Sequence, residues 1–540
     1  METITISKSE YDYFLSCISI IDTLKKDMEV LIQQNAQQQE QISRLTSIIK
    51  LSYKKIYGSS SEKTPCKDQL LLFDEPEGIE AADPVPVPDE NGAARRNTRK
   101  GTRNEQSLQK AIDSLPVSKT YERKLKESER VCPHCGDIMQ HSGSETRRFI
   151  RLLPAIASVI KEILFIYKCN NCEKHGTADY LKKAPSEIAP YPKCIADPGS
   201  IAHIIAQKTV MGLPLYRQEQ EWSGKGLPLS RQTMFNWIKG CDERYFSPIV
   251  EVLRGMLIEN DILHADETPL QVLHEEGKSP KSKGYVWLYR TGCHAEMPIV
   301  IYDYQKGRGS EYPAKFLNGF RGYLHTDGYA AYKNLSQDIH IVGCWAHARR
   351  KFCDACTVLS KDSDSGKEAL RGRQYIDKMF GLERELQDLP PDSRQKRRGK
   401  ELKEKIDEFF SWAESLSMRV GNNALGTAIA YCLNQRKYLE SVLKDSRLEL
   451  SNNLAERSIK PFVIGRKNFL FSNTANGARI SANLYSLTET AKELGLEPEL
   501  YFQWVLEQAP KLSNSAENWA AKLIPHKAPP ECRSVIIEIT

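Results

Sequence analysis

The stretch NDILHADETPLQVL, from Asn260 to Leu273, has the apolar density of a buried strand, yet Asp266 and Glu267 sit in its middle. A carboxylate taken out of water without a partner is costly, so any fold built around this stretch must supply a basic neighbour or a cation. Side chains alternate along a strand, so the two acids leave on opposite faces and need separate answers. Asp266 is the candidate ligand of the pair; Glu267 is not.

The segments that follow keep the strand character: GYVWLYRTG, MPIVIYDYQ and GYLHTDGYAAY, then IHIVGCWAHARRKF as a strand leading into a basic helix. This predicts an α/β core over residues 256–490. Residues 361–443 are strongly charged with helical periodicity and read as a helical insertion. LSNNLAERSIKPFVIGRKNFLF then starts a helix near Ser451 and Asn452, expected to end near Pro461.

Two further acids stand out. Asp327 lies in the HTDG turn at a strand end, and Glu456 lies on the helix after the insertion. Asp266, Asp327 and Glu456, carried by separate elements, can converge at one sheet edge. An all-oxygen set suits a hard divalent cation, Mg2+ or Mn2+. Two such ions about 4 Å apart can clamp the attacking and leaving oxygens of a phosphoryl displacement. Arg457, Lys460, Arg466 and Lys467 follow Glu456 at once, and a basic stripe beside a metal-binding acid suits a phosphodiester.

Upstream, apolar or amide residues recur in steps of three and four from Ile21 through Leu24, Met28, Leu31, Asn35, Gln38, Ile42 and Leu45 to Ile49. That spacing predicts a coiled coil over residues 12–56 and hence a homo-oligomer. Residues 57–110, rich in Pro, Gly and charge, form a disordered basic linker. Cys132-x-x-Cys135 and Cys169-x-x-Cys172 predict a structural Zn2+ module over residues 120–180, four thiolates around a tetrahedral ion, with a β-hairpin between the two pairs. Residues 195–250 read as helices, the last opening with Arg231, Gln232 and Asn236 after a Ser230 cap. Helix, glycine-containing turn and helix resembles a helix-turn-helix DNA reader. Residues 491–540 form a C-terminal region, of which the last 30 or so residues carry no feature that can be placed.

The net charge of +6 over 540 residues is too mild for a global nucleic-acid field, so DNA binding has to come from local patches such as RRNTRKGTR, RQKRRGK and HARRK. No apolar run is long enough to span a membrane, and METITISKSEYDYF lacks the build of a signal peptide. The expected location is the cytoplasm, at the nucleoid, where 14 cysteines are metal ligands or free thiols rather than disulfides.

HADETP, HTDGYAAY, CWAHARRKF and NNLAERSIKPFVIGRKNFLFSNTANGA, in that order, resemble the diagnostic blocks of the transposase of the sixty-six family of bacterial insertion sequences. The zipper-like helix, the double Cys-x-x-Cys and PGSIAHIIAQKTVMGLPLYRQEQ match as well, so the resemblance runs from about Leu15 to Glu507. It implies a ribonuclease-H-like core with a DDE triad of Asp266, Asp327 and Glu456. The implied reaction is Mg2+-dependent cleavage at the element's ends, followed by attack of the freed 3′-hydroxyl on target DNA. It also implies His347, Arg349, Arg350 and Lys351 as phosphate contacts, with terminal inverted repeats, target DNA and accessory proteins of the element as partners. Ser451 stands where the family often has Asp; Ser caps a helix equally well. Two alternatives remain: a zinc-containing DNA-binding protein without catalysis, and a nuclease that hydrolyses without strand transfer.

Overall fold

The computed structural model describes residues 189–533 apart from Asn422 and Ala516, a helical stretch at 20–35, two short paired strands, and isolated residues near these. Residues 20–35 are helical and exposed, with Ile21, Leu24, Met28 and Leu31 among the uncovered apolar side chains. Of the rest of the predicted coiled coil only isolated residues are described, Ile42 and Leu45 among them, both helical and exposed; the linker and Cys132, Cys135, Cys169 and Cys172 lie outside the described residues. In a unit of its own, β1 (Ile166–Lys168) pairs antiparallel with β2 (Leu181–Lys183). The hairpin expected between the two cysteine pairs falls largely outside the described residues.

The larger unit begins with helices. In α1 (Pro198–Thr209) the Asp197 carboxylate caps the first turn by accepting from the Ser200 N–H. It is followed by α2 (Leu215–Gly224) and α3 (Arg231–Cys241), where Ser230 Oγ accepts from the Thr233 N–H at 3.1 Å. A wide turn over Asp242–Phe246 leads into α4 (Ser247–Ile258).

The sheet comes next. β3 (Ile262–His274), β4 (Lys283–Thr291) and β5 (Val300–Gln305) form an antiparallel meander. After the short α5 (Glu311–Phe316), β6 (Gly322–His325) joins the other edge of β3 in parallel, and β7 (Ile339–Val342) joins β6 in parallel. Gly322 has φ +146°, and a Cβ there would stand 2.2 Å from the Asp261 carbonyl oxygen, so only glycine lets β6 come this close.

The chain continues into α6 (Trp345–Val358), then α7 (Asp364–Leu386), α8 (Pro391–Arg397), α9 (Lys403–Ser417) and α10 (Ala424–Leu439). These helices share their own core, centred on Trp345, Phe352, Phe409 and Phe410. The chain returns as α11 (Asn453–Phe469), β8 (Phe471–Thr474), α12 (Ala475–Glu493) and α13 (Pro498–Leu512). The strand order is β5-β4-β3-β6-β7, with β8 parallel to the far end of β3.

Alternation sorts the sheet into two faces. Leu263, Ala265, Trp287, Tyr289 and Ile301 face one core, shared with α1, α3, α4 and α13. Leu270, Val272, Val286, Leu288, Val300 and Tyr302 face the other, under α11 and α12. Even-numbered residues of β3 therefore look toward α11, which is the side Asp266 takes. The helical region upstream of the sheet is not a separate body, because Met234 and Ile238 of α3 are buried in the same core as Trp287. The C-terminal part is drawn in as well: Tyr501, Phe502, Leu523, Ile524 and Cys532 are buried there.

One expectation fails. The helix does not end near Pro461 but runs through it to Phe469. An interior proline costs roughly 3 kcal/mol in a lost bond and a clash. Ile459 and Phe462 are buried against the sheet, and at about 2 kcal/mol each they offset that cost.

Candidate active site

Asp266 and Asp327 reach one place because of strand register. β3 and β6 run parallel with His264 opposite His325. Two residues on come Asp266, still within β3, and Asp327, in the turn just past the end of β6. Glu456 comes from above, in the first turn of α11. The three acids line one open cleft of about 330 Å³ together with His347, Arg350, Asn452, Ile459, Lys460 and Val463.

Each acid is held differently. Asp266 Oδ1 accepts from the Glu267 N–H at 2.8 Å. Burial chiefly, then the negative charge of Glu267, and those of Asp327 and Glu456, push its carboxyl up to about 8. Asp327 Oδ1 accepts from the Tyr329 N–H at 2.8 Å, which closes the turn, and Gly328 takes the φ of +89° that the turn requires. Glu456 Oε2 lies 3.5 Å from an Arg350 nitrogen, and its Oε1 lies 3.6 Å from His347 Nδ1. Burial, more than any charge, lowers the His347 imidazole and keeps it neutral.

Glu267 points the other way and has its own partners. Arg308 donates to Oε1 through Nε at 2.9 Å and through a second nitrogen, and the Tyr332 hydroxyl donates to Oε2 at 2.7 Å. The guanidinium and the hydroxyl counter the burial that would otherwise raise this carboxyl further. The two acids thus have two surroundings: a guanidinium and a hydroxyl for Glu267, and for Asp266 a backbone N–H set against burial and three neighbouring acids.

Behind the acids lies a polar layer that the sequence did not announce. His264 and His325 stack with ring centroids 4.2 Å apart and planes 5° from parallel, both fully buried. Burial holds both rings neutral. Asn452, at the start of α11, donates to the Ala265 carbonyl at 2.8 Å, and its Oδ1 meets His264 Nδ1 at 3.0 Å. Its backbone N–H donates to Cys344 Sγ at 3.1 Å. One residue therefore joins β3, α11 and the start of α6. The repeated His-x-Asp of HAD and HTD was the available signal for the histidine stack, while nothing local pointed to Asn452, Arg308 or Cys344.

The predicted DNA contacts divide. His347, Arg350 and Lys460 line the cleft, and Arg457 is exposed on the same helix. Arg349 is turned to Asp377 of α7, Nε to Oδ1 at 2.5 Å. Lys351 lies over the Tyr431 ring of α10, 5.7 Å from its centroid. Arg466 donates to Thr268 Oγ1 at 2.7 Å and braces β3, while Lys467 is exposed at the far end of α11. On α3, Arg231, Gln232 and Asn236 are exposed, with the two amides hydrogen-bonded at 2.9 Å. The three acids offer oxygens for a hard cation, and Cys344, His347 and Glu456 offer a mixed sulfur, nitrogen and oxygen group.

Among the described residues no helix is long and apolar enough to cross a membrane. The uncharacterized protein y4qI of Sinorhizobium fredii (strain NBRC 101917 / NGR234) is 32% identical to the chain over 338 residues, which is 60% of each sequence. Two further uncharacterized proteins of that strain, y4jD and y4hP, are 28% and 24% identical over 89% and 84% of the chain and 94% and 83% of their own lengths. The chain thus spans about 60% of y4qI and most of the other two. The profile of the Transposase IS66 family matches residues 193–480, a span that contains Asp266, Asp327 and Glu456 and the six-stranded sheet. With more than half of its length inside that match, the chain belongs to the IS66 family of transposases.

Proposed function

We propose that the chain is a DDE transposase: it binds the ends of an insertion sequence and cuts and joins DNA with a divalent metal. The observation that carries this reading is the cleft in which Asp266, Asp327 and Glu456 meet from β3, the β6 turn and α11. The order of strands supports a ribonuclease-H-like core, since an antiparallel meander is extended in parallel from its first strand.

The donor set fits Mg2+ or Mn2+. It is made of carboxylate oxygens, and burial with three neighbouring acids disfavours the ionised form of Asp266, an effect that a bound cation would reverse. Asp266 and Asp327 would hold the ion, with Glu456 completing the set. Bound there, the metal supplies charge neutralisation at the scissile phosphate and a more acidic bound water or hydroxyl. The chain's own groups do the rest. Arg350 and Lys460, at the cleft wall, attract the phosphodiester, and neutral His347 can accept a hydrogen bond without repelling the metal. The walls of Ile459 and Val463 limit water around the reacting phosphate.

Exposed Arg231, Gln232 and Asn236 support α3 as the element that reads the terminal repeats. The exposed apolar residues of the helix at 20–35 support self-association. A silent DNA-binding protein remains the second reading; three acids brought together in one cleft favour the enzyme. The test is purified protein with Mg2+ and duplexes bearing the element's terminal repeats. Nicking and joining are expected of the parent, while Asp266→Asn binds without cutting. An Asp266→Asn protein that cuts like the parent would sink the triad.

A further inference from the structure

Beside the acid cleft, at the start of α6, a sulfur joins the oxygen donors. Cys344 Sγ, His347 Nδ1 and Glu456 Oε1 all lie within 4.8 Å of one another. Cys344 precedes α6 and His347 stands one turn on, so the two share a helix face. His347 Nδ1 and Glu456 Oε1 are shielded from water and neither makes a hydrogen bond. The sulfur is the opposite case. Asn452 N–H donates to it at 3.1 Å, and the backbone N–H groups of Ala346 and His347 also point at it. Burial outweighs these N–H groups and pushes the Cys344 thiol up to about 11, so the sulfur carries its proton in the metal-free chain.

We propose that Cys344, His347 and Glu456 form a second cation site, which takes a thiophilic divalent ion of the Zn2+ class rather than Mg2+. A set of one sulfur, one imidazole nitrogen and one carboxylate oxygen is a zinc donor set, and three protein ligands leave the fourth position to water. Ligands around tetrahedral zinc stand about 3.5 Å apart, so the three side chains close by roughly 1 Å on binding. The Cys344 thiol gives its proton to solvent as the Zn–S bond forms. With Nδ1 on the ion, the ring proton sits on Nε2. Arg350, which meets Nε2 at 3.3 Å and is 41% exposed, then turns out to solvent. Glu456 belongs to both sites, so an ion held here withdraws it from Asp266 and Asp327. That consequence rests on the cleft being the cutting centre; the binding does not.

Zn2+ itself is the probe, on the full-length chain, in excess Mg2+ to occupy the acid pair. Zinc content after equilibrium dialysis is expected to be one ion per chain higher in the parent than in Cys344→Ala or His347→Ala. With Co2+ in place of zinc, the parent-minus-variant spectrum should carry thiolate-to-cobalt charge transfer. Cys344 is buried, so circular dichroism decides whether Cys344→Ala folds; where it does not, the partly buried His347 carries the test alone. Equal zinc in the parent and in folded His347→Ala overturns the proposal. Asp266→Asn should keep the extra ion, so failure of the cutting reaction and failure of this site are read separately.

Discussion

His264 and His325 lie face to face, 4.2 Å between ring centroids, at the one point where β3 and β6 are paired just before each strand delivers an aspartate to the cleft. The stack fixes the spacing of the two strands, and both rings are neutral, so no positive charge from this layer reaches the acids.

Metal affinity should therefore depend on pH in a defined direction. An Asp266 carboxyl near 8 in the folded, metal-free chain keeps its proton over a range, from roughly pH 4 upward, in which the unfolded chain has lost it. The metal-free fold is thus favoured at the low end of that range and loses this contribution as pH rises through 8. Mg2+ must displace the same proton, so its apparent affinity should rise by up to about tenfold per pH unit until about pH 8. Thermal shift against Mg2+ concentration at several pH values measures this. A flat response, or the same slope in Asp266→Asn, contradicts it.

Arg308→Ala should destabilise the fold without touching the cleft. It leaves the Glu267 carboxylate, 1% exposed, with only Tyr332 to support it. Removing one partner of a buried pair costs about 3–5 kcal/mol, and the 38% exposure of Arg308 places this case at or below the lower end. Urea unfolding of the metal-free protein reads the loss, and Arg308→Ala/Glu267→Gln should recover much of it. A double variant no more stable than the single would show that Arg308 acts through something other than Glu267.

Asn452→Ala removes the bonds to Ala265 and His264 and leaves a buried carbonyl short of a donor, a loss of about 2 kcal/mol. The larger effect should be on cutting, because Glu456 loses its tie to the strand carrying Asp266. Single-turnover cleavage should fall by about tenfold or more, on the footing that a misplacement of 1 Å costs as much as 100-fold, while binding of the terminal repeats is unchanged. Equal losses in binding and cutting would point to general unfolding instead.

Arg231→Ala on α3 should weaken binding to the terminal repeats by about 1–3 kcal/mol if the guanidinium reads a base. If it contacts only phosphate, binding weakens alike on all sequences and the salt slope drops by about one. Fluorescence anisotropy on specific and scrambled duplexes separates these outcomes. No change in either quantity removes α3 from the interface.

The candidate site was legible in the chain to an uneven degree. Asp266 showed itself because a carboxylate in an apolar strand needs a reason, and alternation correctly parted it from Glu267. HAD and HTD carry their aspartates at the same offset from a histidine, a spacing that parallel pairing turns into adjacency. Arg349 and Arg466, expected as phosphate contacts, also hold Asp377 and Thr268, which the sequence did not show because a basic residue's partner depends on what packs beside it. Pro461 looked like a helix end, because the local penalty is visible in sequence and the sheet that offsets it is not.

By itself the sequence determined the strands, their faces and the type of each acid, since these follow from side-chain period and from the cost of burying charge. Only the tertiary structure decided which distant groups meet. Arg308 reaches Glu267 across 41 residues of chain, and Asn452 reaches Ala265 across 187. Cys344 comes beside Glu456 only after a whole helical insertion has folded between them. Such contacts depend on how elements pack, and no local pattern in the chain encodes that.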